Sequence, residues 1–274
     1  MPAPPSIAPL RTADLLCMGE PMLEFSQLPP NPDGSRHYLE GHGGDTSNAA
    51  IAAARQGAKV GMIAAVGQDM AGDSFMELWR RENVDTGTVL RNPNALTGVY
   101  FITHDAAGHH FHHYRANSPS ALYRPTDLPA DAIARARMLY LSAISQGISG
   151  NACDAGFEAI AIAKRHGVQV AYDTNYRPRL WPPARAAATM HEAMRQVDIA
   201  LPGIDDVRVM TGLTDPQAHV RYRPQIALVL HKVGPREPGC QFAKALSLLA
   251  RRLVVRDQDP TGRQRLSRDA IQTG

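Results

Sequence analysis

The chain has 274 residues, is 44% hydrophobic and carries a net charge of +3. That is enough apolar material for one large α/β core. No long basic block marks a nucleic-acid stripe, and no apolar run reaches the length of a membrane span. Cys17, Cys153 and Cys240 are isolated, which fits a reducing cytoplasm better than a disulfide framework.

Residues 1–13 are rich in proline and read as a disordered tail rather than a signal peptide. Residues 14–18 form a short apolar strand, Gly19-Glu20-Pro21 breaks it, and 22–25 resume the extended pattern. A turn-rich excursion over 29–34 leads back into Gly41-His-Gly-Gly-Asp-Thr-Ser-Asn48. Glycines so closely spaced permit φ > 0 and close approach to a ligand. Asp45, Thr46 or Ser47 could cap a helix over 48–55, which is alanine-rich, slim and expected to be buried. Gly57 is placed to end it at C′. Free N–H groups at such a helix start can hold a polar or anionic ligand; on these residues alone, a plain loop-to-helix junction stands as the alternative.

Residues 59–66 read as a buried strand and 72–83 as an amphipathic helix through Phe75, Met76, Leu78 and Trp79. Two strand-like runs, 97–103 and 110–115, flank Asp105-Ala-Ala-Gly108 and predict a β-hairpin. A hairpin interrupting a β/α pattern suggests a lid over a site. Alternation then returns: strands over 138–142, 168–172, 197–201 and 225–230, and helices over 151–166, 183–196 and 205–211. Repeated βα units imply a doubly wound, mostly parallel sheet flanked by helices, with ligands beyond the C-terminal strand ends.

Asp173-Thr-Asn-Tyr-Arg-Pro-Arg-Leu-Trp181 follows a strand at such an end. Arg177 there can form a two-pronged pair with a carboxylate; an ordinary capped βα loop is the alternative. His109, His110, His112 and His113 invite a metal reading, because histidines two apart on a strand share a face. No carboxylate or cysteine of suitable spacing accompanies them, so a surface histidine patch is the better reading and no metal site is assigned. Neither G-x-x-x-x-G-K-[ST] nor G-x-G-x-x-G is present.

Gly43-Gly44-Asp45 with Asn48 and the alanine-rich run, together with D-x-N-x-R-x-x-L-W at 173–181, resemble the ribokinase-like (PfkB) carbohydrate kinases. The N-Y-R version of the second motif, Thr97-Gly-Val-Tyr-Phe101, Tyr114-Arg115 and Leu141-Ser-Ala-Ile-Ser-Gln-Gly-Ile148 are similar to segments of the 2-keto-3-deoxygluconate kinases within it. The resemblance implies a sugar-acid kinase that uses ATP and Mg²⁺. It places Gly43, Gly44, Asn48, Tyr100, Tyr114, Arg115, Asp173, Asn175 and Arg177 on the substrate, with Arg177 facing the carboxylate. It also implies a cytoplasmic protein with a lid built from parts of 20–42 and 97–115, homo-oligomerisation through that lid, and no nucleic-acid or membrane partner. Fructokinases share D-x-N-x-R-x-x-L-W and are the nearest alternative.

The likeness covers about residues 14–213 and degrades over 214–274, the divergent end of a domain expected to span 14–274. His231-Lys-Val-Gly-Pro-Arg-Glu-Pro-Gly-Cys240 resembles a nucleotide loop, which implies nucleotide contacts from Lys232 and Gly234. Asp259-Pro-Thr-Gly262 resembles the D-x-T-G that opens the family's catalytic signature, which would add Asp259, Thr261 and Gly262. Where the family continues A-G-D, this chain continues Arg263-Gln-Arg-Leu-Ser-Arg268. The catalytic aspartate is therefore absent, and no catalytic residue is assigned. The expectation is a frameshifted or truncated end and impaired turnover. A sugar-acid-binding protein without turnover and a product without function are the remaining alternatives.

Overall fold

Successive residues of a strand point to opposite faces, and the first strand shows this plainly. Leu15 and Cys17 enter one apolar cluster, Leu16 and Met18 the other. A strand buried on both faces belongs in the middle of a helix-covered parallel sheet, and that is where the fold puts it. The computed structural model describes residues 11–105, 108–213 and 228–229. In chain order the strands are β1 (Ala13–Met18), β2 (Met22–Gln27), β3 (Tyr38–Gly43), β4 (Val60–Gly67), β5 (Val84–Asp85) and β6 (Val89–Asn92). They continue with β7 (Val99–Asp105), β8 (Gly108–Tyr114), β9 (Ala136–Ser142), β10 (Gln169–Asp173), β11 (Ile199–Leu201) and β12 (Leu228–Val229). The helices are α1 (Asp45–Ala54), α2 (Met70–Arg81), α3 (Ala130–Ala134), α4 (Ala143–Gly147), α5 (Gly150–Arg165), α6 (Pro183–Gln196) and α7 (Ile204–Thr211).

Among the described residues the main sheet runs β12-β11-β10-β9-β1-β4-β5, with β6 also paired to β4, and each of these pairings is parallel. One apolar cluster joins this sheet to α5 and α6, the other to α1 and α2. A second, mixed sheet runs β3-β2-β7-β8, with β2 and β7 parallel between two antiparallel hairpins. The doubly wound expectation and the small additional sheet are both present.

Several local expectations change. The first helix begins at Asp45, not Asn48, and its N-cap is Gly44 (φ 108°, ψ 115°) without a side-chain cap. Asp45 instead folds back on the Thr46 N–H at 2.9 Å. Gly57 has the left-handed φ of 89° but lies two residues past the Arg55 C-cap, one beyond C′. Residues 143–147, which follow the strand expected over 138–142 and carry no expected element of their own, form the short helix α4. The helix ends at Gly167 and Gly212 are left-handed, as the punctuation suggested.

Helices α1 and α2 are joined by a buried bond: Trp79, wholly buried, donates Nε1–H to Ser47 Oγ at 2.9 Å. Trp79→Ala is expected to destabilise the fold by about 3–5 kcal/mol, the usual cost of emptying a buried aromatic site. The denaturation midpoint measures it, and a loss under about 1 kcal/mol would show that the two helices close the gap.

Candidate active site

The turn after β1, the loop after β10 and the N-terminus of α1 meet one face of the second sheet. Register and alternation put Met22 and Glu24, Gly41 and Gly43, Tyr100 and Ile102, and Phe111 and His113 on that face. Two glycines let the pieces approach. A Cβ on Gly43 would stand 2.4 Å from the Tyr100 hydroxyl, and one on Gly44 would stand 2.6 Å from the Glu20 carbonyl oxygen. Tyr100 donates its hydroxyl to Glu24 and stacks on His113 at 5.5 Å between ring centroids. Burial first, and then the Glu24 carboxylate, hold the Tyr100 phenol well above its ordinary range, so it serves as a donor.

The loop after β10 closes a second side. Asn175, with φ 24°, donates Nδ2–H to Asp45 Oδ2 at 3.0 Å and so ties this loop to the start of α1. Asp173 is buried; its Oδ1 accepts from the Asn175 N–H at 3.1 Å, and the Tyr140 hydroxyl lies 3.4 Å from Oδ2. That places Asp173 beneath the loop, holding its shape. Arg177 is exposed, and its Nη1 donates to the Tyr176 carbonyl at 3.1 Å. Arg179 reaches across and donates to the Phe111 carbonyl of β8, joining this loop to the second sheet.

Arg115, just past β8, pairs with the buried Glu20. His113 reports where these cations gather. Burial, then the charges of Arg115, Arg179 and Arg177, then the His112 ring, lower its affinity for protons below the ordinary value. Three guanidinium groups thus act on one ring at the sheet face, a field that suits an anionic ligand. The buried Arg115 Nε and Thr46 Oγ1 find no hydrogen-bond partner among the described residues. Polar atoms left so are costly unless a ligand or water completes them.

Tyr114, expected on the substrate, stands apart from the other residues of that set. Tyr114 faces away from Tyr100 and Arg115, its ring edge-on to Phe101 at 5.9 Å on the opposite side of the sheet. The reason is strand alternation: neighbours of Arg115 cannot share its face, whereas His113, two residues earlier, does. His113, Arg179 and Glu20 are the site residues missed in the sequence; the alternation rule applied backward from Arg115 finds the first. Asn48 lies exposed in the first turn of α1. Lys232, Gly234, Asp259, Thr261 and Gly262 lie outside the described residues. The hairpin histidines split between faces, with His110 2.9 Å from Asp105 and His104 edge-on to His109. Among the described residues no group of three or more histidine, cysteine or acidic side chains converges on a metal position, and no helix is long and apolar enough to cross a membrane.

A mostly parallel, helix-flanked sheet with a small mixed sheet over its C-terminal strand ends is the architecture of the ribokinase-like sugar kinases. The match to the pfkB family carbohydrate kinases covers residues 12–236, and the chain belongs to that family. It is 31% identical over 261 residues to the 2-dehydro-3-deoxygluconokinase of Thermoproteus tenax, covering 90% of this chain and 77% of that protein. To the enzyme of that name from Dickeya dadantii it is 34% identical over 213 residues, 74% of this chain and 67% of the other. A solved PfkB protein from Polaromonas sp. JS666 superposes with a TM-score of 0.75 at 25% identity, over 81% of this chain and 77% of its own. A fructokinase from Xylella fastidiosa, solved with bound ATP, superposes at 0.76 over 90% and 88%; at 21% identity it shows the shared fold.

Proposed function

We propose that this sugar kinase is built for 2-keto-3-deoxygluconate, the sugar acid that its relatives' names call 2-dehydro-3-deoxygluconate. The observation that carries this reading is the loop after β10, which brings Arg177 and Arg179 to the sheet face that carries His113 and Tyr100 and bonds to β8 through Arg179, with the Glu20-paired Arg115 beside them. A neutral hexose needs no such field, whereas a carboxylate does. Arg177 takes the carboxylate, Tyr100 and Arg115 hold the oxygens along the chain, and the Gly43–Gly44 turn lets the sugar lie against the backbone. The second sheet acts as the lid that keeps water from the reacting end.

In this reading ATP is the phosphoryl donor. In the family's reaction the primary hydroxyl oxygen attacks the γ-phosphorus, the bond to ADP breaks, and the hydroxyl proton passes to the signature's aspartate, where this sequence has Arg265. Mg²⁺ would supply charge neutralisation at the phosphates when bound. The chain works in the cytoplasm.

Titration calorimetry with 2-keto-3-deoxygluconate and with fructose tests the substrate class. The acid is expected to bind about tenfold tighter or more, as a charge-assisted pair of about 1.4 kcal/mol or above requires. Tighter fructose binding would move the reading to a fructokinase. The chain's 30% identity to a fructokinase of Oryza sativa subsp. japonica, over 75% of its length, makes that the competing outcome.

A further inference from the structure

We infer that Glu20 is a positioning residue that sets specificity. It fixes the Arg115 guanidinium through Nη2 and cancels its charge, leaving the discrimination between an acid and a neutral sugar to Arg177 and Arg179 of the loop after β10. The part concerning the sugar rests on the reading above; the charge cancellation does not.

Glu20 sits where β1 hands the chain to β2 and is 3% exposed. One carboxylate oxygen pairs with Arg115 Nη2, and the other accepts from Ser118 Oγ at 2.7 Å. Gly98 leaves the room this needs, since a Cβ there would lie 3.2 Å from Glu20 Oε1. An ionised carboxylate so deep requires a paired and hydrogen-bonded environment, and Arg115 and Ser118 supply it from the segment that returns from the second sheet. Burial holds the Glu20 pKa above the ordinary carboxylate value; the Arg115 charge and the two hydrogen bonds offset part of that rise, and Asp45 adds a smaller upward push.

The two arginines therefore differ in kind. Arg115 is mostly buried and already neutralised, and its Nε is a buried donor without a partner among the described residues. It has a hydrogen bond to give and little net charge. Arg177 is exposed, its described bond is to a carbonyl, and among the described residues no carboxylate pairs with it. Arg179 likewise bonds to a carbonyl, that of Phe111, so among the described residues a bound carboxylate meets uncompensated charge from the loop after β10.

The test uses the full chain and nuclear magnetic resonance, with no ligand. In the unsubstituted protein the Glu20 side-chain carboxyl carbon is expected to show the ionised shift at pH 7; a protonated carboxyl overturns the inference without any variant. The titration midpoint of His113 is then compared in Glu20→Gln and Glu20→Asp. Glutamine keeps the size and an acceptor but removes the charge, so Arg115 is unmasked and the His113 midpoint falls by about half a unit or more. Aspartate keeps the charge and leaves the midpoint near that of the unsubstituted protein. An unmoved midpoint in folded Glu20→Gln overturns the inference. Calorimetry adds the ligand arm: Glu20→Gln should raise the affinity ratio of 2-keto-3-deoxygluconate to fructose several-fold, and an unchanged ratio beside a shifted midpoint removes the specificity role. If the unsubstituted chain binds no sugar acid, the substrate reading fails while the resonance results still decide the charge cancellation.

Discussion

The purified 274-residue chain is expected to release ADP from ATP and 2-keto-3-deoxygluconate at or near background. After Asp259-Pro-Thr-Gly262 the sequence places Arg263, Gln264 and Arg265 where the family pattern has Ala, Gly and Asp. A proton acceptor and the flexible backbone that aims N–H groups at the phosphate would be lost together. Removing a general base typically costs about 10²–10⁴ in rate, and losing an anion-stabilising donor costs about 10²–10³. The two act as a unit and need not multiply. Even the smaller factor pulls a kinase that would run at about 1–100 s⁻¹ toward the detection limit. A coupled ADP-release assay decides the matter. Turnover within about tenfold of that ordinary kinase range would show that another residue accepts the proton. The triple variant Arg263→Ala, Gln264→Gly, Arg265→Asp is the companion measurement and should be the faster of the two.

Substrate affinity is a separate matter, since the residues argued to hold the sugar lie between Glu20 and Arg179. Arg177→Ala is expected to weaken 2-keto-3-deoxygluconate binding by about 10–100-fold, the range that follows from losing a charged hydrogen-bonded contact of about 1.5–3 kcal/mol. Fructose binding should change little, because no carboxylate is lost from that complex. Arg177 is exposed and bonds only to the neighbouring carbonyl of Tyr176 among its described partners, so its removal should leave folding intact and the result readable. Unchanged affinity for the acid would show that Arg177 does not take the carboxylate.

Much of this was legible in the sequence because apolar runs and Gly punctuation repeat at α/β spacing. The interrupting hairpin announced itself through Asp105 and Gly108, which pair across its turn. What escaped had identifiable causes. Residues 143–147, Ala-Ile-Ser-Gln-Gly, form a helix of five residues, too short to show a helical period. Strands β5 and β6 have two and four residues, too few to show a period. Sequence rules favour a side-chain cap at Asp45, Thr46 or Ser47, whereas the close approach of Glu20 leaves room only for glycine at the cap itself. Arg115 could be picked out as a site residue, yet its partner Glu20 lies 95 positions earlier inside what reads as a strand break. Nothing local marks that glutamate as buried, because its burial is created by the return of a distant segment.

The second sheet joins two hairpins that are remote along the chain, 22–43 and 99–114, through the single parallel pairing of β2 with β7. Neither hairpin can find the other until β1, β4 and β6 have docked and brought their roots together. Closing that long loop has to be repaid by contacts made later. The sheet that carries Tyr100 and His113 should therefore assemble last and open first, as a cooperative unit of lower stability than the layer beneath it. Hydrogen exchange reads this directly: amides of β2 and β7 should exchange through openings that leave β1, β4 and β9 protected. Equal protection in both layers would mean that the chain unfolds as one piece. If the openings are separate, ligand entry requires only that the upper layer come away, and the energetic cost of admitting a sugar is independent of the stability of the core.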